Sequence, residues 1–119
     1  MIPAGVEIFV GLDPIDLRWG FDRLAGVVTE QLGRAPRGGA LFVFRGKRGG
    51  ALKVLFFDGT GLCLFYKRLD RGTFRWPEPP PDGRASVTLD EQSLEALLDG
   101  IDVDVPAPKS PRAKRARTH

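Results

Sequence analysis

Seven of the eight basic side chains between positions 45 and 75, Arg45, Lys47, Arg48, Lys67, Arg68, Arg71 and Arg75, carry the strongest chemical signal in this chain. Guanidinium and ammonium groups neutralise phosphates and release condensed counterions, which produces salt-dependent and largely sequence-independent affinity. Arg can also read guanine through its planar fork, and an aromatic ring beside it can stack on an unpaired base. Phe74 and Trp76 flank Arg75 and are the candidate stacking rings or partner anchors. Packing against a sheet is the simpler account of Trp76. The chemistry that this pattern supports is contact with DNA.

Catalytic readings find less support. Asp13, Asp16 and Asp22 gather around a first helix, and Asp58 and Asp70 lie in turns. A two-metal nuclease needs several convergent carboxylates. Here Asp13 has a helix-capping role available, and Asp58 and Asp70 suit turns through their backbone-bonding side chains. Asp16 and Asp22 stand six apart and share a helix face poorly. No metal site and no catalytic residue is therefore expected. The loop Arg45–Gly50 lacks the G-x-x-x-x-G-K-[ST] pattern and joins two strands, whereas a P-loop leads from a strand into a helix, so no nucleotide cofactor is expected. Cys63 is the single cysteine and reads as a small buried hydrophobe, with no histidine nearby to activate it. His119 is the single histidine.

The net charge of +3 conceals a segregated pattern. Residues 1–33 carry two basic and five acidic groups, residues 34–75 ten and two, and residues 76–108 one and eight. Residues 109–119 add five basic groups and no acid. Without that tail the chain is slightly acidic, so any polyanion contact must rest on the middle block. Charge blocks speak to partners rather than to fold. The plainer alternative is a solvated face neutralised by the acidic C-terminal helix. A start at Met1-Ile2-Pro3-Ala4-Gly5 shows no secretory pattern, and no apolar run reaches membrane-span length. A reducing, cytoplasmic setting is the expectation.

These residues need elements to position them. Val6–Val10 reads as a strand. Asp13 and Pro14 look like the cap and first position of a helix carrying Leu17, Phe21, Leu24, Val28 and Leu32 at helical spacing and ending at Gly33. Gly20 and Gly26 would sit inside it, where they weaken a helix or admit a close backbone. Ala40–Phe44, Leu52–Phe57 and Leu62–Lys67, separated by Gly-rich turns, predict an antiparallel meander, with Thr73–Trp76 as a candidate fourth strand. PEPPPD at 77–82 is a stiff connector. Thr88 and Glu91 match a capping box before a helix with Leu94, Leu97 and Leu98 facing a core, closed at Gly100. The fold class is α/β in the α+β sense: an N-terminal strand–helix unit, a short antiparallel β-meander and a C-terminal helix. One domain spans 1–105. Residues 106–119 form a basic tail expected to be disordered when free.

The same stretches carry a family resemblance. Asp16–Ala25 (DLRWGFDRLA) is similar to a D-M-R-K-G-F-D-G-L-A motif, and Leu41–Gly49 (LFVFRGKRG) resembles L-F-V-F-x-x-R-R. Asp58–Gly72 (DGTGLCLFYKRLDRG) resembles W-D-G-x-G-L-x-L-x-x-K-R-L-E-x-G, and Phe74-Arg75-Trp76-Pro77 completes the match. These motifs belong to the TnpB, or second-reading-frame, accessory proteins of IS66-type insertion sequences, and the resemblance covers about residues 2–103. Trp19 departs from a preferred Lys, and Phe56-Phe57 from Trp-Trp. The resemblance implies a role in transposition beside a separate transposase that carries the strand-transfer chemistry; it supplies no catalytic residues. The expected function is a non-catalytic accessory protein that binds DNA at the element ends through the basic loops. The rival is a protein–protein adaptor docking on the transposase.

Overall fold

The computed structural model describes residues 5–100 of the chain. Five strands and two helices follow one another as β1 (Ile8–Gly11), α1 (Phe21–Glu30), β2 (Leu41–Arg45), β3 (Ala51–Phe57), β4 (Leu62–Arg68), β5 (Ser86–Leu89) and α2 (Glu91–Asp99). They build one mixed sheet in the order β4-β3-β2-β1-β5. The meander β2-β3-β4 is antiparallel, as its short turns require. β1 pairs parallel with β2, which needs the longer crossover that α1 provides. β5 adds antiparallel to β1 at the other edge.

Both faces of the sheet are covered, which explains why its inner strands read as near-continuous apolar runs rather than alternating ones. Phe9, Phe42, Phe44 and Leu55 face α1, where they meet Leu24, Val27 and Val28. The alternate residues Ile8, Val10, Val43, Leu52 and Val54 face α2 and meet Leu94, Leu97 and Phe74. Phe9 and Phe42 stack at 5.7 Å between ring centroids. No helix of the described residues is long and apolar enough to cross a membrane.

Several local expectations are corrected. The first helix begins at Phe21 with Gly20 at its cap, so Asp13 and Pro14 lie outside it. Ile15 instead bridges Gly46, its N–H donating to the Arg45 carbonyl at 2.8 Å, and that strand-like contact holds 12–20 in an irregular path along the sheet. Gly20 and Gly26 admit no close neighbour: a Cβ at either would meet nothing within 4 Å. The additional strand is β5, not Thr73–Trp76, whose Phe74 is buried in the α2-side core. Thr88 is therefore a strand residue. The cap of α2 is Asp90, whose carboxylate accepts from the Ser93 N–H at 2.7 Å; that bond holds the acid below its ordinary range. Cys63 is half-buried rather than core, and loss of solvent raises its thiol pKa. The tail at 106–119 lies outside the described residues.

Candidate nucleic-acid interface

The β2–β3 turn is the structural centre of the basic region. The Gly46 N–H donates to the Ala51 carbonyl at 3.1 Å, and the Gly49 N–H to the Gly46 carbonyl at 3.2 Å. Gly49 takes φ +78°, a conformation that side chains rarely adopt. Gly46 is required for another reason. A Cβ there would lie 2.6 Å from Leu17 Cδ1, so the 15–17 segment can pack on the turn only because nothing projects from it.

The segment after β4 folds back onto the same turn. The Leu69 N–H donates to the Gly50 carbonyl at 2.9 Å, and the Phe74 N–H to the Gly49 carbonyl at 2.8 Å. The two basic loops are thereby tied edge to edge, the adjacency expected from the short turns. Between them and the 15–17 segment lies an open groove of about 620 Å³, on the α1 side of the sheet. Lys47, Arg48 and Arg68 stand along it with Tyr66, above apolar surface from Ile15, Leu17, Ala51 and Leu69.

Strand alternation divides the seven proposed phosphate contacts. In β4, Tyr66 and Arg68 share a face with Leu62 and Leu64, whereas Lys67 and Phe65 point to the other. Lys67 is half-buried on the α2 side, and its ammonium donates to the Leu98 carbonyl at 2.7 Å. Arg45 also turns to the α2 side, where it is half-buried. It donates to the Leu12 carbonyl at 3.3 Å and lies 5.9 Å from the Trp76 ring centroid, with its Nε buried and without a hydrogen-bond partner. Lys53, a basic neighbour in the same block, is only 9% exposed and donates to the Trp19 carbonyl at 2.9 Å. Lys47, Arg48, Arg68, Arg71 and Arg75 are exposed. Among the described residues, neither Arg48 nor Arg68 has a carboxylate partner.

The aromatic candidates fare differently. Phe74 is 5% exposed and belongs to the core, so its ring presents no face to a base. Trp76 is half-buried against the same core, and its indole N–H donates to the Gly11 carbonyl at 2.8 Å. Tyr66, 48% exposed in the groove, is the ring that sequence reasoning passed over. Its signal was the period of two that places it with Arg68.

Of the acids, Asp16 lines the groove and Asp58 lies in the β3–β4 turn at the far end of those strands; both are occupied. Asp16 forms a two-pronged pair with Arg18, Nε at 3.0 Å and Nη2 at 2.6 Å from its oxygens, which holds its carboxyl well below the usual range. Lys47 adds a smaller pull in the same direction. The Asp58 carboxylate accepts from the Thr60 and Gly61 N–H groups at 2.8 and 2.9 Å and from the Thr60 hydroxyl, lowering its pKa to about 2. Among the described residues, no group of three or more His, Cys, Asp or Glu is placed to hold a metal ion.

Comparison with known proteins gives a consistent picture. A family model described as "IS66 Orf2 like protein" matches residues 6–108. The uncharacterized protein y4hO of Sinorhizobium fredii (strain NBRC 101917 / NGR234) is 46% identical over 104 residues, covering 86% of this chain and 88% of that one. The uncharacterized protein y4jC of the same organism is 38% identical over 98 residues, covering 82% and 81%. No solved structure matches the chain.

Proposed function

The chain belongs to the IS66 Orf2-like family, and from that premise we propose that it is an accessory protein of insertion-sequence transposition that binds DNA and leaves strand chemistry to the transposase. The observation that carries the reading is the convergence of Lys47, Arg48 and Arg68 on one groove, with no carboxylate partner for either arginine among the described residues. Cations held this way keep their charge available for phosphate oxygens and the guanidinium fork available for two-pronged bonding. Arg71 and Arg75 extend the basic surface along the segment that follows β4. Arg45 and Lys67 are left out of the contact set, since each is committed to a backbone carbonyl on the other face.

The test is binding of labelled element-end DNA across a salt series by the wild type and by Arg68→Ala/Arg71→Ala. Each lost phosphate contact should lower the slope of log affinity against log salt by about 0.7–0.9. An unchanged affinity and slope in the double variant would remove this surface from DNA binding.

One observation favours the adaptor reading. β4 is an edge strand, and Phe65 on it is 44% exposed on the side away from the groove. Among the described residues no strand pairs with the outer edge of β4, and such an edge with an exposed aromatic ring can accept a strand from a partner. Copurification with the transposase after nuclease treatment, lost in Phe65→Lys, would support docking there.

A further inference from the structure

Half of the groove is unsuited to phosphate. Ile15, Leu17, Ala51 and Leu69 give it apolar surface, and Tyr66 stands in its wall with nearly half its surface exposed. A duplex presents a convex phosphate ridge with its base faces already stacked inside. Such a ridge could use the cations but would leave the apolar wall and the ring without a partner. At about 620 Å³ the groove has room for a nucleotide-sized group while staying open to solvent.

The ring is held in place before any ligand arrives. Tyr66 sits in β4 in register with Lys53 of β3. The Lys53 ammonium, anchored on the Trp19 carbonyl, lies 5.4 Å from the ring centroid and supports it from one side. A ring restrained in this way loses little conformational freedom when a flat group stacks on it. Arg68 follows two residues later on the same face, roughly 7 Å along the strand. Lys47 and Arg48 line the same groove from the β2–β3 turn. The turn that carries them is otherwise glycine, Gly46, Gly49 and Gly50, and adds no further side chain to the groove.

We propose that this groove holds an unpaired nucleotide of single-stranded DNA, its base stacked on Tyr66 and its neighbouring phosphates on Lys47, Arg48 and Arg68. The inference rests on the DNA-binding reading and names the form of DNA that the site takes. Stacking on an aromatic ring tolerates any base, so affinity for unpaired segments follows without a strong sequence preference.

The experiment compares an oligothymidylate, a duplex of equal length and a single-stranded oligouridylate at one salt concentration. Tyr66 is the single tyrosine, so fluorotyrosine labelling reports on this ring alone. The wild type should bind the single-stranded DNA most tightly, with a shift of the Tyr66 resonance. Tyr66→Phe should keep that affinity, whereas Tyr66→Leu, verified as folded by its melting temperature, should lose on the order of ten-fold for single-stranded DNA and little for duplex. Equal binding of single strand and duplex, both weakened by Arg68→Ala, would overturn the unpaired-nucleotide proposal and leave DNA binding intact. Preference for the RNA strand would overturn the assignment to DNA. Binding of none of the three would overturn both readings.

Discussion

Lys67 and Arg68 are adjacent in sequence and equal in charge, yet the pleat sends them to opposite sides of the sheet. Lys67 places a cation on the carbonyl of Leu98 at the end of α2, where the helix dipole is negative. Arg68 faces the groove. Their substitutions should therefore separate. Lys67→Met keeps the apolar stem but removes a charge-assisted bond, which should lower stability by about 1–2 kcal/mol in urea unfolding and leave DNA affinity unchanged. Arg68→Met should do the reverse, with stability within about 0.5 kcal/mol of wild type. A Lys67→Met protein as stable as wild type but weaker on DNA would return that residue to the contact surface. The seven basic residues were all legible in the sequence as charges. Which of them are committed to carbonyls depends on the sheet face, and a face is defined only by what packs against it.

At the level of elements, the groove depends on how α2 is fastened. Gly100 closes that helix at φ +71° and ψ −177°, a region essentially confined to glycine. A Cβ there would lie 2.5 Å from Leu69 Cδ1 and 3.3 Å from the Thr73 carbonyl oxygen. The end of α2 thus packs against the segment that carries Leu69 along the groove and Arg71 and Arg75 beyond it. Gly100→Ala should cost about 1–3 kcal/mol, read as a lower urea midpoint, and should disturb the amide resonances of residues 69–75. An unaffected midpoint would show that this contact is dispensable. The glycine at the close of α2 was legible from its position. The start of α1 was not: Asp13-Pro14 has the composition of a helix N-terminus, but the Ile15 N–H finds a strand partner at Arg45 and keeps the chain extended. β5 was missed because Thr88 and Glu91 satisfy the spacing of a capping box. Pairing of Phe9 with Thr88 outweighs that local alternative.

Across the whole molecule, the groove cations Lys47, Arg48 and Arg68 and the acids of α2 lie on different sides of the sheet. The acidic α2, with Glu91, Glu95 and Asp99, covers the face opposite the groove. The acids of α2 therefore do not neutralise the cations at the groove, and salt screens exposed charges beyond about 8 Å in any case. The chain ends in five Lys and Arg with no acid over residues 109–119. Ending the chain after residue 105 should leave the melting temperature unchanged and reduce affinity for any DNA, with a shallower salt dependence. A fall in melting temperature would mean that the tail is part of the domain rather than an electrostatic addition.

The sequence by itself determined the α+β class, the meander, the concentration of positive charge at two loops and the family, because apolar period, turn chemistry and motif spacing are local properties. Tertiary structure alone decided which of the cations face the groove, that Phe74 belongs to the core, and that Tyr66 stands in the groove. Those outcomes depend on which face each strand buries and on the pairing of β1 with β5. Both are contacts between segments far apart in the chain, and no local pattern encodes them.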